Sequence, residues 1–131
     1  MKQFTLSESE RQLLKAELFR QLTDDHAFWS YDPASVTLEN ASDEIIVYKT
    51  LRHLDVDAIS LLIFVYGIPK IREVWEQTLA IEGQYMHRLN KFLAYAYFGI
   101  KNPEQHIQEL CRQHVAGLKQ RARRLLKTAD A

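Results

Sequence analysis

Residues 54–80 constrain the fold most, because they predict two helices joined by a tight turn. The segment reads LDVDAISLLIFVYGIPKIREVWEQTLA, in which Asp55 suits a helix N-cap and Gly67 a helix end. Pro69 follows where the first turn of a helix tolerates a missing N–H group. The segment therefore predicts an all-α class and indicates no chemistry. Apolar residues recur at helical spacing before the turn, at Val56, Ile59, Leu62, Ile63 and Tyr66.

Capping and stop signals predict helices on both sides of this segment. Ser7 with Glu10 forms a capping-box pattern for a first helix that ends near Thr23. A second helix is predicted from Ser42 to about His53. One face of the first helix is marked by Leu13, Leu14, Leu18 and Leu22, and the second helix carries Ile45, Ile46, Tyr48, Lys49 and Leu51.

Two more helices are predicted after the helix that follows the Gly67 turn, which should reach about Ala80. The fifth helix begins after Gly83 and closes at Gly99, and the last begins at Asn102 with Pro103 in its first turn. Their predicted apolar faces are Met86, Leu89, Phe92, Leu93, Ala96 and Tyr97, then Ile107, Leu110, Cys111, His114 and Leu118.

The length and composition fit one domain. A chain of 131 residues with 47% hydrophobic composition is within the usual size of a domain with one core. The prediction is a single all-α domain of about five to six helices with orthogonal or bundle-like packing. Its core covers about residues 7–118, and residues 119–131 form a basic C-terminal tail.

Charge is balanced overall but not along the chain. The 17 basic and 17 acidic residues cancel, so no field of the whole protein attracts nucleic acid or an anionic membrane. Residues 1–50 carry five Lys/Arg and nine Asp/Glu, whereas residues 101–131 carry seven and three. An acidic front and a basic tail are therefore expected, which either steer a partner or attract each other.

Cysteine usage and the first residues predict a cytoplasmic protein. Cys111 is a single cysteine and cannot form an internal disulfide, and the start MKQFTLSESER lacks a signal-peptide pattern. The apolar runs are shorter than the roughly 20 residues that span a bilayer, so no membrane partner is predicted.

No group of residues predicts a convincing catalytic or metal centre. Asp55 and Asp57 match a D-x-D carboxylate pair, but helix capping explains them better. Cys111 and His114 are spaced for one helix face, yet His106 lies off that face, so no metal and no cofactor are predicted. We therefore predict no catalytic residues and a protein that is not an enzyme.

Two alternatives involve nucleic acid. Arg20 and His26 have the R-x5-H spacing that resembles the active motif of the HEPN ribonucleases, although six helical positions do not place both on one face. The Gly67 turn also fits a helix-turn-helix, but residues 70–79 offer few side chains for DNA bases. Better candidates for phosphate contact, or else a solvated helix end, are Lys119, Arg121, Arg123, Arg124 and Lys127.

An aromatic cluster stands out between the first two helices. Phe28, Trp29 and Tyr31 lie in a segment whose polar residues and proline oppose regular structure. Aromatic residues this dense either fix a loop onto the core or anchor a partner protein. Both interpretations remain open from the sequence, and the three residues are the candidate partner-binding site.

Four short motifs stand out in the chain: FWSYD at residues 28–32, DEIIV at 43–47, LRHL at 51–54 and YGIPKIREV at 66–74. In this order they resemble a family of small bacterial all-α domains that are often encoded beside nucleotidyltransferase-like toxins. The resemblance implies an antitoxin that binds a toxin, and it implies no catalytic residues.

The leading functional prediction is a non-enzymatic protein-interaction module in the role of an antitoxin. The first alternative is a nucleic-acid-binding transcriptional regulator that uses the basic C-terminal helix. The second alternative is a HEPN-like ribonuclease that acts through Arg20 and His26.

Overall fold

A computed structural model of the chain describes residues 6–27 and 36–129. These residues form six α-helices and no strand, so the predicted all-α single domain is confirmed. The helices are α1 (Glu8–Asp24), α2 (Asp43–His53), α3 (Val56–Tyr66), α4 (Ile68–Gln77), α5 (His87–Ala96) and α6 (Pro103–Ala129), with 3₁₀ turns at Leu79–Ile81 and Gln84–Met86. The chain divides into two units, residues 1–75 and residues 76–131.

The first unit is built from α1, α2 and α3, which contact one another, and from most of α4. Each of its first three helices begins at a side-chain cap, as predicted for Ser7 and Asp55. The Ser7 and Glu10 side chains accept each other's backbone N–H at 3.2 and 3.1 Å, and Ser42 and Asp55 cap α2 and α3. The largest fully buried residues of this unit are Leu18, Leu22, Ile46, Leu51, Leu62, Ile71 and Trp75.

Polar contacts connect α2 to neighbouring helices at its N-terminus. The Tyr66 hydroxyl donates to Asp43 Oδ1 at 2.9 Å, and Lys15 Nζ lies 3.3 Å from the same oxygen. Lys70 Nζ donates to Glu44 Oε1 at 3.2 Å. Burial, followed by the bond to Asp43, raises the pKa of Tyr66. The hydroxyl therefore stays protonated and acts as the donor.

Asp55 supplies the first testable prediction. Its side chain accepts the Ala58 backbone N–H at 3.0 Å, so Asp55→Ala should lower the free energy of unfolding by about 1 kcal/mol. Asp57→Ala is the control, because Asp57 is exposed in the same first turn and makes no cap hydrogen bond to the N-terminal N–H groups of α3. Urea unfolding followed by circular dichroism measures both, and equal losses would contradict the capping role.

On α1 and α3, the residues that are buried differ in part from those predicted. Leu13 and Val56 are exposed, whereas Ala58 and Val65 are buried. On both helices the apolar residues occupy more than one face, so spacing alone did not identify the buried one.

The α4 helix is shorter than the sequence predicted. It ends at Gln77 because the backbone of Thr78 leaves helical geometry, with φ −128° and ψ −87°. A 3₁₀ turn follows, in which Ile81 N donates to Thr78 O at 3.2 Å. This turn presents the carbonyl of Leu79, which a buried side chain of α5 then uses.

The second unit contains both 3₁₀ turns, α5 and α6. Asn90 is fully buried and its Nδ2 donates to the Leu79 carbonyl at 2.8 Å. Leu93 and Ala94 are buried on the same side of α5, whereas Phe92 and Ala96 are exposed. The predicted inward face of α5 was therefore wrong in part, because a polar residue with a buried partner takes an inward position.

Candidate protein-interaction surface

The first turns of α6 are held against the rest of the second unit. The helix begins at Pro103, as predicted, and the Asn102 carbonyl accepts His106 N at 3.1 Å. Ile107 is buried, and His106 Nε2 lies 2.8 Å from Glu76 Oε2. Cys111 Sγ lies 3.8 Å from the Ala80 carbonyl oxygen. These contacts fix the direction of the helix.

The remainder of α6 is exposed. Every residue from 112 to 129 is exposed, including the predicted inward residues His114 and Leu118. The large apolar side chains of this segment are 47–67% exposed, which is unusual for several leucines on one helix. They are Val115, Leu118, Leu125 and Leu126.

Together with Cys111, Ala122 and Ala129, these side chains form a continuous stripe along the helix. We call it the α6 stripe, and its members are Cys111, Val115, Leu118, Ala122, Leu125, Leu126 and Ala129. Apart from Leu126, its members are separated alternately by four and three residues. That spacing keeps side chains on one line of a helix and is typical of helices that pack lengthwise on another helix.

Positive charge borders the α6 stripe on both edges. At 100° per residue, Arg112 and Lys119 fall along one edge and Arg121 along the other. Residues 112–129 contain no Asp or Glu, and all their Lys and Arg side chains are exposed. The five predicted cations, Lys119, Arg121, Arg123, Arg124 and Lys127, therefore lie together on this part of α6.

One carboxylate stands at the start of the exposed segment. Arg112 Nη2 and Nε donate to the two carboxylate oxygens of Glu109 at 2.6 and 3.0 Å. The hydrogen bonds from Arg112, followed by one from Gln113, lower the pKa of Glu109. Glu109 therefore stays ionised and offsets part of the charge of Arg112, while the cations beyond it keep their full field.

A shallow groove of about 460 Å³ lies on the near end of the α6 stripe. The surface of its lining is mostly apolar, although Arg112 and Lys119 are among the lining residues. The groove is lined by Gln108, Cys111, Arg112, Val115, Ala116 and Lys119.

The other predicted sites have different outcomes. Phe28, Trp29 and Tyr31 lie outside the described residues, so their role as anchors stays a prediction.

The two residues of the HEPN-like motif, Arg20 and His26, are both described. Arg20 donates to Glu17 Oε1 and to Asp24 Oδ2, both at 2.6 Å. The hydrogen bond from Arg20 is the main reason that the pKa of Glu17 falls to about 2. His26 is exposed beyond the end of α1 with φ +56°, so the two HEPN-motif residues belong to different local structures.

The described ranges contain neither a metal-binding cluster nor a membrane-spanning helix. Within residues 6–27 and 36–129, no three His, Cys, Asp or Glu side chains are grouped so that they could hold a metal ion. Cys111 and His106 instead approach Ala80 and Glu76, and His114 is exposed. No helix in the same ranges has an apolar stretch long enough to cross a bilayer.

Comparison of the chain with protein-family models, curated proteins and solved structures gave no match. The sequence did contain a signal for the α6 stripe, since the alternating spacing continues through Ala122 and Leu125. That signal was missed because residues 119–131 were interpreted by charge alone.

Proposed function

We propose that this protein is a protein-interaction module that binds an acidic amphipathic helix of another protein along the α6 stripe. The observation that carries the proposal is that every residue from 112 to 129 is exposed, including the apolar members of the stripe. Covering the stripe would remove its leucines from water, and each buried side chain contributes about 1.5–3 kcal/mol. Carboxylates on the partner would meet the bordering cations.

Charge argues against a second copy of α6 as the occupant. Two α6 helices packed along their stripes would bring Lys119 and Arg121 of each chain beside the cations of the other. Residues 112–129 have no carboxylate to compensate, so like charges would meet along both edges. A partner helix with acidic edges has the opposite charge and the same periodicity.

The chemistry of the α6 stripe also favours protein over nucleic acid. Its members are aliphatic or small, and residues 112–129 contain no aromatic side chain that could stack on a base. A lipid surface is disfavoured because the stripe has no Trp or Phe and includes alanine where interfacial helices carry larger groups. The regulator predicted from the basic C-terminal helix is therefore the second candidate.

The antitoxin role remains a more specific form of this proposal. It is supported by the sequence resemblance in residues 28–74, and it would make the partner a nucleotidyltransferase-like toxin. In that case Phe28, Trp29 and Tyr31 would supply a second contact, and the cations of α6 would accelerate association. In this role the partner would be the active component, and this chain would need no catalytic residue.

Substitutions on opposite faces of α6 test the proposal. Leu118→Asp and Leu125→Asp place a carboxylate in the α6 stripe, whereas Gln120→Asp places the same charge on the far side of the helix. We expect the leucine variants to weaken binding of the partner by about thirtyfold or more and Gln120→Asp to have little effect. Tagged proteins from nuclease-treated lysate identify the partner by mass spectrometry, and titration calorimetry then measures each affinity.

Photo-crosslinking gives the same test without altered charge. A photoreactive residue at position 118 should crosslink to one acidic protein in stoichiometric yield, and the same residue at position 120 should not. Equal loss in all three Asp variants would show that only net charge matters and would contradict the α6 stripe as the contact. Recovery of nuclease-sensitive nucleic acid instead of protein would favour the second candidate.

A further inference from the structure

A second exposed surface lies on α5 and has a different composition. Tyr85, Phe92 and Tyr95 are 50–81% exposed, although aromatic side chains are usually covered when they occur in number. Tyr85 lies in the 3₁₀ turn before the helix, and Phe92 and Tyr95 lie on successive turns of α5. We call these three rings and the cations between them the α5 face.

The inward contacts of α5 hold these rings at the surface. Asn90, Leu93 and Ala94 are buried, and the hydrogen bond from Asn90 to the Leu79 carbonyl fixes the rotation of the helix. Phe92 makes an edge-to-face contact with Tyr97, with ring centres 6.0 Å apart and planes at 83°. This contact supports the Phe92 ring from one edge, so it is ordered and still accessible.

Two cations lie between the first and second rings of the α5 face. Arg88 and Lys91 are exposed on α5, and residues 83–103 contain no Asp or Glu. At 100° per residue, Arg88, Lys91, Phe92 and Tyr95 lie within about a third of the circumference of α5, and Tyr85 precedes them in the 3₁₀ turn. The face therefore presents planar rings and positive charge together.

A polar groove of about 460 Å³ adjoins Lys91. Its lining is rich in side-chain amides, which donate and accept hydrogen bonds and so suit the edges of nucleobases. Glu104 is its one acidic residue, and its Oε1 lies 3.8 Å from His87 Nε2. The groove is lined by Lys91, Asn102, Pro103, Glu104, Gln105 and Gln108.

We propose that the α5 face binds single-stranded nucleic acid, with bases stacked on Phe92, Tyr95 and Tyr85 and phosphates at Arg88 and Lys91. Exposed aromatic rings beside cations suit a single strand, because its unpaired bases can stack on the rings and its anionic backbone can contact the cations. A duplex hides those faces in its own stack. The proposal is independent of the α6 stripe, which is aliphatic.

The test uses the purified full chain and a fluorescently labelled oligouridylate or oligothymidylate of about 12 nucleotides, a length within the range of single-strand sites. Fluorescence anisotropy should show binding, and a duplex of the same length should bind more weakly. Phe92→Leu and Tyr95→Leu keep an apolar side chain but remove the ring, and each should weaken binding by about tenfold. Leu13→Ala, an exposed apolar change in the first unit, should have no effect.

Salt dependence tests the phosphate contacts. The double variant Arg88→Gln with Lys91→Gln should flatten the slope of log affinity against log salt by about 1.4, because each contact to a single strand contributes about 0.7. Arg123→Gln with Arg124→Gln removes the same charge from α6 and should change the slope less. Thermal melting checks that these exposed variants remain folded.

Several results would overturn the proposal. No binding at low salt would do so, and so would equal affinity for the duplex, which would show charge attraction without stacking. A larger loss in the Arg123 and Arg124 variant than in the α5 variants would assign the binding to α6. Anionic vesicles that compete as strongly as the oligonucleotide would identify a lipid surface as the ligand instead.

Discussion

Trp75→Ala is expected to lower the free energy of unfolding by about 3–5 kcal/mol. Trp75 is fully buried and is the largest such side chain in the described part of the chain. Its removal deletes a large apolar area and leaves a cavity that the close-packed surroundings fill only in part. Because domains are stable by only about 5–15 kcal/mol, this variant should be largely unfolded in moderate urea.

Urea unfolding at 25 °C, followed by circular dichroism at 222 nm, measures this effect. Tyr85→Ala is the matched control, because it removes an aromatic side chain that is 81% exposed and should change stability by no more than about 0.5 kcal/mol. A loss below about 1 kcal/mol for Trp75→Ala would show that this side chain is not packed as the structure describes.

The second large effect is expected for Asn90→Asp, which keeps the shape of the side chain. The amide nitrogen that donates to the Leu79 carbonyl at 2.8 Å becomes an oxygen with no proton at neutral pH. A carboxylate would then be buried against a carbonyl oxygen. An unpaired buried charge costs about 3–5 kcal/mol, and the loss of the donor also leaves the Leu79 carbonyl without this partner.

This variant has a pH dependence of known sign. Burial beside a carbonyl raises the pKa of the introduced carboxyl above its unfolded value of about 3.9. Below the unfolded value the carboxyl is protonated in both states and its O–H can donate to the Leu79 carbonyl, so the penalty is smallest below pH 4 and grows as pH rises. Unfolding free energies of Asn90→Asp relative to wild type at pH 4 and pH 7 measure this, and Asn90→Leu is the uncharged control. If Asn90→Asp lowers the free energy of unfolding by the same amount at pH 4 and at pH 7, the introduced carboxyl is not buried.

Both candidate surfaces belong to the second unit, and its charge suits both. Residues 76–131 carry nine Lys/Arg and five Asp/Glu, whereas residues 1–75 carry eight and twelve. The two proposed ligands, an acidic helix and a single-stranded nucleic acid, are both anionic, so the second unit would attract them and the first would repel them. The asymmetry along the chain therefore has a structural counterpart, since it coincides with the division into units.

The bounds of the helices were predictable because their signals are local. Ser7, Ser42 and Asp55 each accept a backbone N–H within three residues, and Gly67 ends α3 with φ +80°, a conformation that glycine adopts without strain. Such signals need no information from distant parts of the chain. The two clear errors of this kind, the end of α4 and the start of α5, arose where 3₁₀ turns replace the predicted α-helix.

The choice of buried face was not predictable at several positions. Leu13 and Phe92 were predicted to face the core and are exposed, whereas Asn90 was not expected to be buried. A helix with apolar residues on more than one side gives no unique inward direction. The hydrogen bond from Asn90 to Leu79 settles that direction for α5, and it joins residues in different elements.

The sequence by itself determined the all-α class, the capped helix starts and the cationic character of residues 112–129, since each depends on neighbours along the chain. Only the tertiary structure decided which apolar side chains remain in contact with water. Leu118 on α6 and Phe92 on α5 have the same hydrophobic character as the buried Leu93, and their exposure depends on which elements pack against each helix. Both candidate surfaces follow from that packing.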